Sequence, residues 1–275
     1  MKIKLPNTLN SIQSQNFGRR VYQVENGDHQ RWLKLQHVDA HPAYEHGFFN
    51  ELKIYDLLHR IETPDQSVIG NFSILDPYAH FQVDEHVIQE ALWLEDLPIL
   101  FVKEPNRLEA VELYKQLKLS LDVLEHLHAY GLVHGDLKKE HFRYKQEEGQ
   151  ARLIDFEQSF IVEANLNSEQ AMLSNVATHN ATPRYMAPEL FHAKPKSVQS
   201  DIYALGIIWL EWLTQQRLSA KSYQDWAILH CQQLKIDLPK HFQPLFPVLE
   251  MMLMKKIDSR CSNIYQIKQV LSQIG

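Results

Sequence analysis

A short stretch near the middle of the chain, LVHGDLKKEHFRY at residues 132–144, constrains the fold more than any other. It packs two histidines, an aspartate, a glutamate and two lysines into eight residues, between an apolar start and an aromatic end. Ionisable groups in such a place are either solvated loop residues or a constellation that apolar flanks hold in a fixed geometry for chemistry. The surrounding sequence decides between these two interpretations.

The chain length of 275 residues indicates an ordinary globular protein with one large domain or two lobes. The net charge of −6 gives no support to a nucleic-acid partner. Cys231 and Cys261 are the only cysteines of the sequence and lack metal-ligand spacing, which predicts a reduced compartment. The N-terminal residues do not resemble a secretory signal, and the longest apolar stretch is too short to span a bilayer. We therefore expect a cytoplasmic protein without a membrane span.

Residues 1–97 predict a β-rich lobe with one main helix. The turn NGD lies between the strand-like runs GRRVYQVE and QRWLKLQ, which is typical of a hairpin. In AYEHGFFNELKIYDLLHR, apolar residues recur at helical intervals from Phe48 to Leu58. A further hairpin is predicted for FQVDEHVIQEALWLEDLP.

Residues 98–275 predict a mainly helical lobe. A long helix is expected from Asn106 to Tyr130, because one apolar stripe recurs there at helical intervals, at Val111, Tyr114, Leu117, Leu121 and Leu124. Short strands in HFRY and ARLIDFE and a loop over 158–183 are expected after it. The stretch SVQSDIYALGIIWLEWLTQ predicts a buried helix with Ser200 as its cap and Asp201 in its first turn. The sequence thus indicates an α+β, two-lobed chain forming a single domain over 1–275, and a cleft between lobes is a favoured place for a ligand.

The segments HGDLKKEH and DFE place Asp136 and Asp155 19 residues apart. They resemble the catalytic loop, H-R-D-x-x-x-x-N, and the metal loop, D-F-G, of the protein kinase superfamily. ATPRYMAPEL resembles the segment ending in A-P-E, and SDIYALG resembles a buried helix whose aspartate braces the catalytic loop. DSRCSNI carries Arg260, which would pair with Glu189. Over about residues 10–274, the chain resembles a divergent, bacterial-type Ser/Thr protein kinase.

The resemblance implies a two-lobed protein-kinase-like fold and ATP-dependent phosphoryl transfer to Ser/Thr hydroxyls of protein substrates, with Mg²⁺ or Mn²⁺. Asp136 would accept or orient the hydroxyl proton, and Lys138 would steady the transferred group. Asp155 and His141 are the implied metal ligands. Lys34, fixed by Glu51, would hold the α- and β-phosphates, and the backbone from Glu95 to Leu97 would meet adenine. The residues implied at the nucleotide are Val21, Lys34, Glu51, Glu95 and Leu97.

Each of these residues also has an ordinary structural interpretation. Lys34 alone would be an exposed strand lysine, and Glu51 a glutamate on a helix surface. Asp136 and Asp155 alone would be loop caps, which is the commoner use of aspartate. Their positions within the ordered set of segments favour the functional interpretation.

The chain also departs from the family pattern. Gly18 stands alone where the family has a glycine-rich phosphate loop, so we expect weaker nucleotide binding. Gly135 replaces the arginine beside the catalytic aspartate, Glu157 the glycine of the metal loop, and His141 the asparagine that ligates a second metal. Two alternatives therefore stay open. A phosphotransferase for a small molecule or glycolipid is disfavoured by the A-P-E segment with Thr182, whereas a pseudokinase scaffold is compatible with the lone glycine.

Overall fold

A computed structural model of the chain describes residues 8–9, 11–16, 18–26, 29–37, 42–63, 66–75, 88–162 and 181–275. The chain divides into two compact units. One consists of Met1–Glu62 and Ile69–Leu97, and we call it the strand unit. The other consists of Thr63–Val68 and Pro98–Gly275, and we call it the helical unit.

The strand unit is built on a four-stranded antiparallel sheet of order β1-β2-β4-β3. Its strands are β1 (Arg19–Asn26), β2 (His29–His37), β3 (Phe72–Leu75) and β4 (Ile88–Glu95). The predicted β1–β2 hairpin is confirmed, with Val21 opposite Lys34. In the second predicted hairpin, β4 pairs with β2 and β3, and residues 81–87 lie outside the described residues.

One face of this sheet forms the core of the strand unit. Leu33 and Leu35 of β2 are fully buried together with Tyr22, Ala91 and Trp93 from neighbouring strands. Because successive side chains of a strand point to opposite faces, Lys34 lies on the other face. The alternation of β2 therefore separates the packing residues from a lysine that is available for another role.

Two helices belong to the strand unit, α1 (Ile12–Asn16) and α2 (Pro42–Ile61). The stripe predicted on α2 is confirmed as buried, and it consists of Phe48, Leu52, Tyr55 and Leu58. Glu51 lies on the same helix and is also fully buried, which a glutamate tolerates only when it is paired. The interpretation of Glu51 as a helix-surface residue is therefore wrong.

The helical unit contains five α-helices within the described residues. They are α3 (Ala110–Ala129), α4 (Val198–Thr214), α5 (Tyr223–Ile228), α6 (Phe246–Leu253) and α7 (Ile264–Ser272). The long helix begins at Ala110, because residues 105–107 form a separate 3-10 turn. Its predicted stripe is buried at Leu117, Leu121 and Leu124, but Val111 is exposed, so packing starts later than the periodicity indicated.

Helix α4 is buried nearly all round, as predicted, and carries Trp209 and Trp212 into the core of the helical unit. Its predicted cap, Ser200, is wrong. Ser197 is the N-cap, and its hydroxyl accepts from the Ser200 amide at 3.3 Å, while the Ser200 hydroxyl accepts from the Ser197 amide at 2.8 Å. This reciprocal capping box satisfies two amides and leaves Asp201 in the first turn.

Four short strands fix the ends of two loops in the helical unit. They are β5 (Leu132–Val133), β6 (Phe142–Lys145), β7 (Gln150–Leu153) and β8 (Phe160–Ile161). The predicted β6–β7 hairpin is confirmed, and β5 pairs with β8. Residues 134–141 thus join β5 to β6, and residues 154–159 join β7 to β8. Of the predicted loop over 158–183, residues 163–180 lie outside the described residues.

No helix in the described ranges is both long enough and apolar enough to cross a membrane.

Candidate active site

The loop that carries Asp136 is held by the first turn of α4. The Asp201 carboxylate accepts from the backbone amides of His134 at 2.8 Å and Gly135 at 3.0 Å, and it also contacts the His128 ring at 3.1 Å. Gly135 has a φ of +78°, a conformation that glycine adopts without strain. A buried carboxylate therefore sets the path of the chain immediately before Asp136.

The Asp136 side chain has two anchors of its own. Its Oδ1 accepts from the Thr182 amide at 2.8 Å, and its Oδ2 pairs with Lys138 Nζ at 2.9 Å. Burial raises the pKa of Asp136, but Lys138, His141 and the Thr182 amide more than offset this, so the net shift is downward. The side chain is consequently an ionised carboxylate near neutral pH.

Lys138 has negatively charged side chains around it. Burial lowers its pKa, but the attraction of Asp136, Asp155 and Glu157 prevails, and the net shift is upward. Its side chain is 28% exposed, so the lysine remains charged and accessible. A cation beside an ionised carboxylate fits a site that binds a further negatively charged group.

His134 is a fully buried support beneath this loop. Its Nε2 lies 3.2 Å from the Ile154 carbonyl, and its Nδ1 accepts from the Asp136 amide at 3.4 Å. Burial lowers the pKa of His134 to about 4, so the ring is neutral and can hold both contacts at once. The ring also packs on Phe156 and on His141. His134 thereby connects the loop of Asp136 to the loop of Asp155.

Asp155 and His141 lie together. His141 Nε2 is 3.2 Å from Asp155 Oδ2, and the imidazole is 7% exposed. Asp155 has a φ of +69°, a left-handed conformation that aspartate tolerates better than most residues and that is concentrated at functional sites. A carboxylate oxygen and a ring nitrogen both ligate divalent cations. The pair therefore fits a divalent metal ion.

In the strand unit, Lys34 and Glu51 form a buried ion pair. Lys34 Nζ on β2 lies 2.6 Å from Glu51 Oε2 on α2, with side-chain exposures of 12% and 0%. The interpretation of Lys34 as an exposed strand lysine is therefore wrong. Because the glutamate fixes the amine at one end, the lysine is positioned for a further anionic group.

The other residues predicted at the nucleotide also belong to the strand unit. Val21 is half-buried on β1, opposite Lys34 in the β1–β2 pairing. The Glu95 amide donates to the Asn71 carbonyl at 2.9 Å, so this amide is already engaged, and Leu97 is buried. The lone Gly18 lies two residues after the end of α1 and directly before β1, so a short helix precedes β1 at this place.

The segment at Thr182–Glu189 is anchored at both ends. The Thr182 amide is bound to Asp136, and Glu189 forms a bidentate pair with Arg260 at 2.7 and 2.8 Å. Arg260 is fully buried and lies over the Tyr203 ring. The structure thus brings Glu189 and Arg260 together, as the resemblance implied.

Sequence reasoning missed one buried cation of the site, Lys196. It lies in the loop before α4, is 8% exposed and donates to Gln158 Oε1 at 3.4 Å. Its segment, HAKPKSVQSD, has no periodicity that could indicate which lysine is buried. The supporting role of His134 was also missed, although its place two residues before Asp136 was a usable signal.

Comparisons with known proteins agree with this geometry. The chain is similar to a probable serine/threonine-protein kinase of Dictyostelium discoideum, 35% identical over 34% of this chain and 6% of that protein. It is 36% identical to human calcium/calmodulin-dependent protein kinase type 1B over 32% of this chain and 24% of the relative. Similarity to serine/threonine-protein kinase pakA of Talaromyces marneffei is 25% over 66% of this chain and 25% of that protein. The aligned part spans no more than about a quarter of each of these relatives.

The sequence pattern that defines the protein kinase domain matches residues 50–273, well over half of the chain. This match includes the loops of Asp136 and Asp155 and the segment of Glu189. It confirms the α+β, two-lobed fold with a β-rich N-terminal lobe and a mainly helical C-terminal lobe. The chain belongs to the protein kinase domain family.

Proposed function

We propose that this chain transfers the γ-phosphoryl group of ATP to Ser/Thr hydroxyls of protein substrates. The observation that carries the proposal is the state of Asp136, an ionised carboxylate held by Lys138 and the Thr182 amide. Phosphoryl transfer needs positioning and charge neutralisation more than covalent chemistry, and this arrangement offers both. The kinase domain extends over residues 1–275, with the N-terminal lobe ending at residue 97.

Asp136 would orient the acceptor hydroxyl and receive its proton. Its Oδ1 and Oδ2 each have one partner, and a carboxylate has further lone pairs for a third hydrogen bond. Lys138 would hold the transferred group, since its ammonium lies beside the same carboxylate. Both side chains come from one loop braced by Asp201, which keeps their separation fixed.

The nucleotide would be held by the strand unit. Lys34, fixed by Glu51, would supply the cation for the α- and β-phosphates. Val21 would offer an apolar contact, and the backbone between Glu95 and Leu97 would face adenine. Asp155 and His141 would hold a divalent metal, Mg²⁺ or Mn²⁺, which neutralises phosphate charge when it is bound. The lone Gly18 predicts a modest ATP affinity.

The anchored segment between Thr182 and Glu189 supports a protein substrate over a small one. A segment fixed by Asp136 at one end and by Arg260 at the other offers a defined surface beside the acceptor position. Lys138 and the names of the Dictyostelium discoideum and Talaromyces marneffei relatives, both serine/threonine-protein kinases, support Ser/Thr acceptors. The free cysteines Cys231 and Cys261 are in keeping with a reduced, cytoplasmic compartment.

The test is incubation with labelled ATP, Mg²⁺ or Mn²⁺ and a generic basic protein, with the Asp136→Asn variant in parallel. We expect phosphoserine or phosphothreonine in the protein, and its loss in the variant. ATP turnover without labelled protein would replace the proposal by a small-molecule phosphotransferase. ATP binding without turnover, in the wild type and with both metals, would replace it by a pseudokinase scaffold.

A further inference from the structure

Lys196 is a buried lysine of the helical unit. It lies in the loop that precedes α4, directly before the N-cap Ser197, and only 8% of its surface is exposed. Its Nζ donates to Gln158 Oε1 at 3.4 Å. The side chain thus extends from the start of α4 to the loop that follows Asp155.

The side chain of Lys196 packs beside the position that a Cβ of residue 135 would occupy. A Cβ at residue 135 would lie 2.5 Å from the Gln158 carbonyl and 3.2 Å from Lys196 Cδ. The first distance is shorter than real Cβ contacts allow, and the φ of +78° would strain any other residue there. Residue 135 therefore cannot carry a side chain here, and the alkyl stem of Lys196 occupies the adjacent volume.

Two carboxylates attract the charge of Lys196. Burial lowers its pKa to about 8, whereas Asp136 from the catalytic loop and Asp201 from α4 raise it. Gln158, whose side-chain oxygen accepts a hydrogen bond from Lys196, is neutral. The ammonium form therefore predominates at neutral pH and is lost as the pH rises through about 8.

We propose that Lys196 is a positioning residue that supplies, from the start of α4, a positive charge near Asp136 in addition to that of Lys138, where residue 135 cannot carry a side chain. The inference rests on the proposed function, because Asp136 is the carboxylate that it places. Without this cation, Asp136 would keep Lys138 and the Thr182 amide, and Asp201 would keep its contacts with the loop amides. The positive charge between the start of α4 and the loop of Asp136 would be lost. Lys196 also joins Gln158 to the catalytic loop through its stem.

The kinetic test compares Lys196→Met with Lys196→Arg, and uses Lys194→Met as a matched control on an exposed lysine of the same loop. We expect Lys196→Met to lower kcat by up to about 100-fold, because a small misplacement of a reacting group costs that much. The KM for ATP should stay within about twofold, since Lys196 does not belong to the nucleotide residues. Lys196→Arg should retain most of kcat, and the control should match the wild type.

The pH profile separates charge from packing. Wild-type kcat should decline above pH of about 8, as the Lys196 cation is lost. In Lys196→Arg this alkaline decline should move to higher pH, because arginine stays protonated. An equal loss of kcat in the Met and Arg variants, with an unchanged alkaline decline, would overturn the positioning role.

An activity-independent measurement keeps the inference distinct from the proposed function. With ¹³C-labelled lysine, the Cε resonance of Lys196 is assigned by its disappearance in Lys196→Arg and followed against pH. We expect a midpoint near 8 in the wild type and a lower midpoint in Asp136→Asn, because that variant removes one attracting charge. A normal lysine midpoint, or one that Asp136→Asn leaves unchanged, would refute the pairing. If the midpoint shifts but the wild type transfers no phosphate, the pairing stands and the proposed function fails.

Discussion

Two lysine–carboxylate pairs, one in each compact unit, occupy very different surroundings. Lys34 and Glu51 join a strand to a helix, and their side chains are 12% and 0% exposed. Lys138 and Asp136 are two residues apart on one loop, and their side chains are 28% and 16% exposed. The chemistry of the partners is the same, but the first pair holds two elements together and the second does not.

This difference predicts how each pair responds to mutation. Breaking a buried pair leaves an uncompensated charge in the interior, whereas an accessible pair can exchange its partner for water. We therefore expect the pair in the strand unit to affect both stability and activity. The pair in the helical unit should affect activity alone. The predictions below test this distinction.

The largest effect is expected for Asp136→Asn. Asparagine can still accept from the Thr182 amide, so the loop should keep its conformation, but it cannot take a proton. A general base contributes about 10²–10⁴-fold, and kcat should fall by that factor. ATP affinity, measured by calorimetry, and the melting temperature should remain close to those of the wild type. Unchanged turnover would remove Asp136 from the catalytic role.

The positions of site residues could be predicted from the sequence where a local pattern determines which residues lie close together. Lys34 lies between Leu33 and Leu35, so strand alternation places it on the face opposite the core. The hairpin of β6 and β7 brings the loops of Asp136 and Asp155 to neighbouring strand ends. Both relations follow from short sequence distances.

Long-range packing in irregular segments could not be predicted in this way. Lys196 precedes α4 in a loop without periodicity, and its burial depends on Gln158 and Gly135, 38 and about 60 residues away. The cap of α4 was misplaced because Ser197 and Ser200 are chemically equivalent, and only the backbone shows which one precedes the helix. The exposure of Val111 likewise depends on what packs beside the start of α3 rather than on its helical period.

The second prediction concerns the buried pair of Lys34 and Glu51, from which first one charge and then both are removed. Lys34→Met leaves the fully buried Glu51 without its cation and should lower the free energy of unfolding by about 3–5 kcal/mol. The double variant Lys34→Met/Glu51→Leu removes both charges and should recover most of that loss. Phosphoryl transfer should stay absent in both, because the phosphates lose their lysine. Urea unfolding measures the free energy of unfolding of each variant, and the phosphoryl-transfer assay measures its activity.

Recovery of activity in the double variant would show that Lys34 serves the fold alone. Arg260, in the buried pair with Glu189, provides the matched control. Arg260→Met should cost a similar free energy of unfolding, while the ATP affinity of the molecules that remain folded should not change.

The third prediction concerns Lys138→Met in the accessible pair. The free energy of unfolding should change by no more than about 1 kcal/mol, because the Lys138 side chain is partly exposed to solvent. Loss of one preorganised charge at the transferred group should nevertheless lower kcat by about 10²–10³-fold. Lys139→Met, on the adjacent half-buried lysine, is the control and should leave kcat unchanged. A destabilisation as large as that of Lys34→Met would abolish the distinction between the two pairs.

The smallest effect is expected for His141→Asn, and it concerns metal preference rather than rate alone. Mg²⁺ prefers oxygen ligands in octahedral geometry, whereas imidazole offers nitrogen, which Mn²⁺ accepts more readily. Because His141 Nε2 faces the Asp155 carboxylate at 3.2 Å, the ring is placed to share a metal with Asp155. We therefore expect the wild type to transfer phosphate faster with Mn²⁺ than with Mg²⁺.

Replacing the ring by an amide should raise the Mg²⁺-supported rate and reduce the Mn²⁺ preference, since asparagine supplies an oxygen at the same position of the loop. Each rate is measured over a range of metal concentrations, so that affinity and turnover are separated. His241→Asn, on an exposed histidine that contacts Asn106, is the control and should leave the metal profile unchanged. If His141→Asn shows the wild-type profile, the imidazole only supports the Asp155 carboxylate, and the metal is held without it. In that case His141, like Lys196, positions a carboxylate of the site, and the departure from the family asparagine affects geometry rather than coordination.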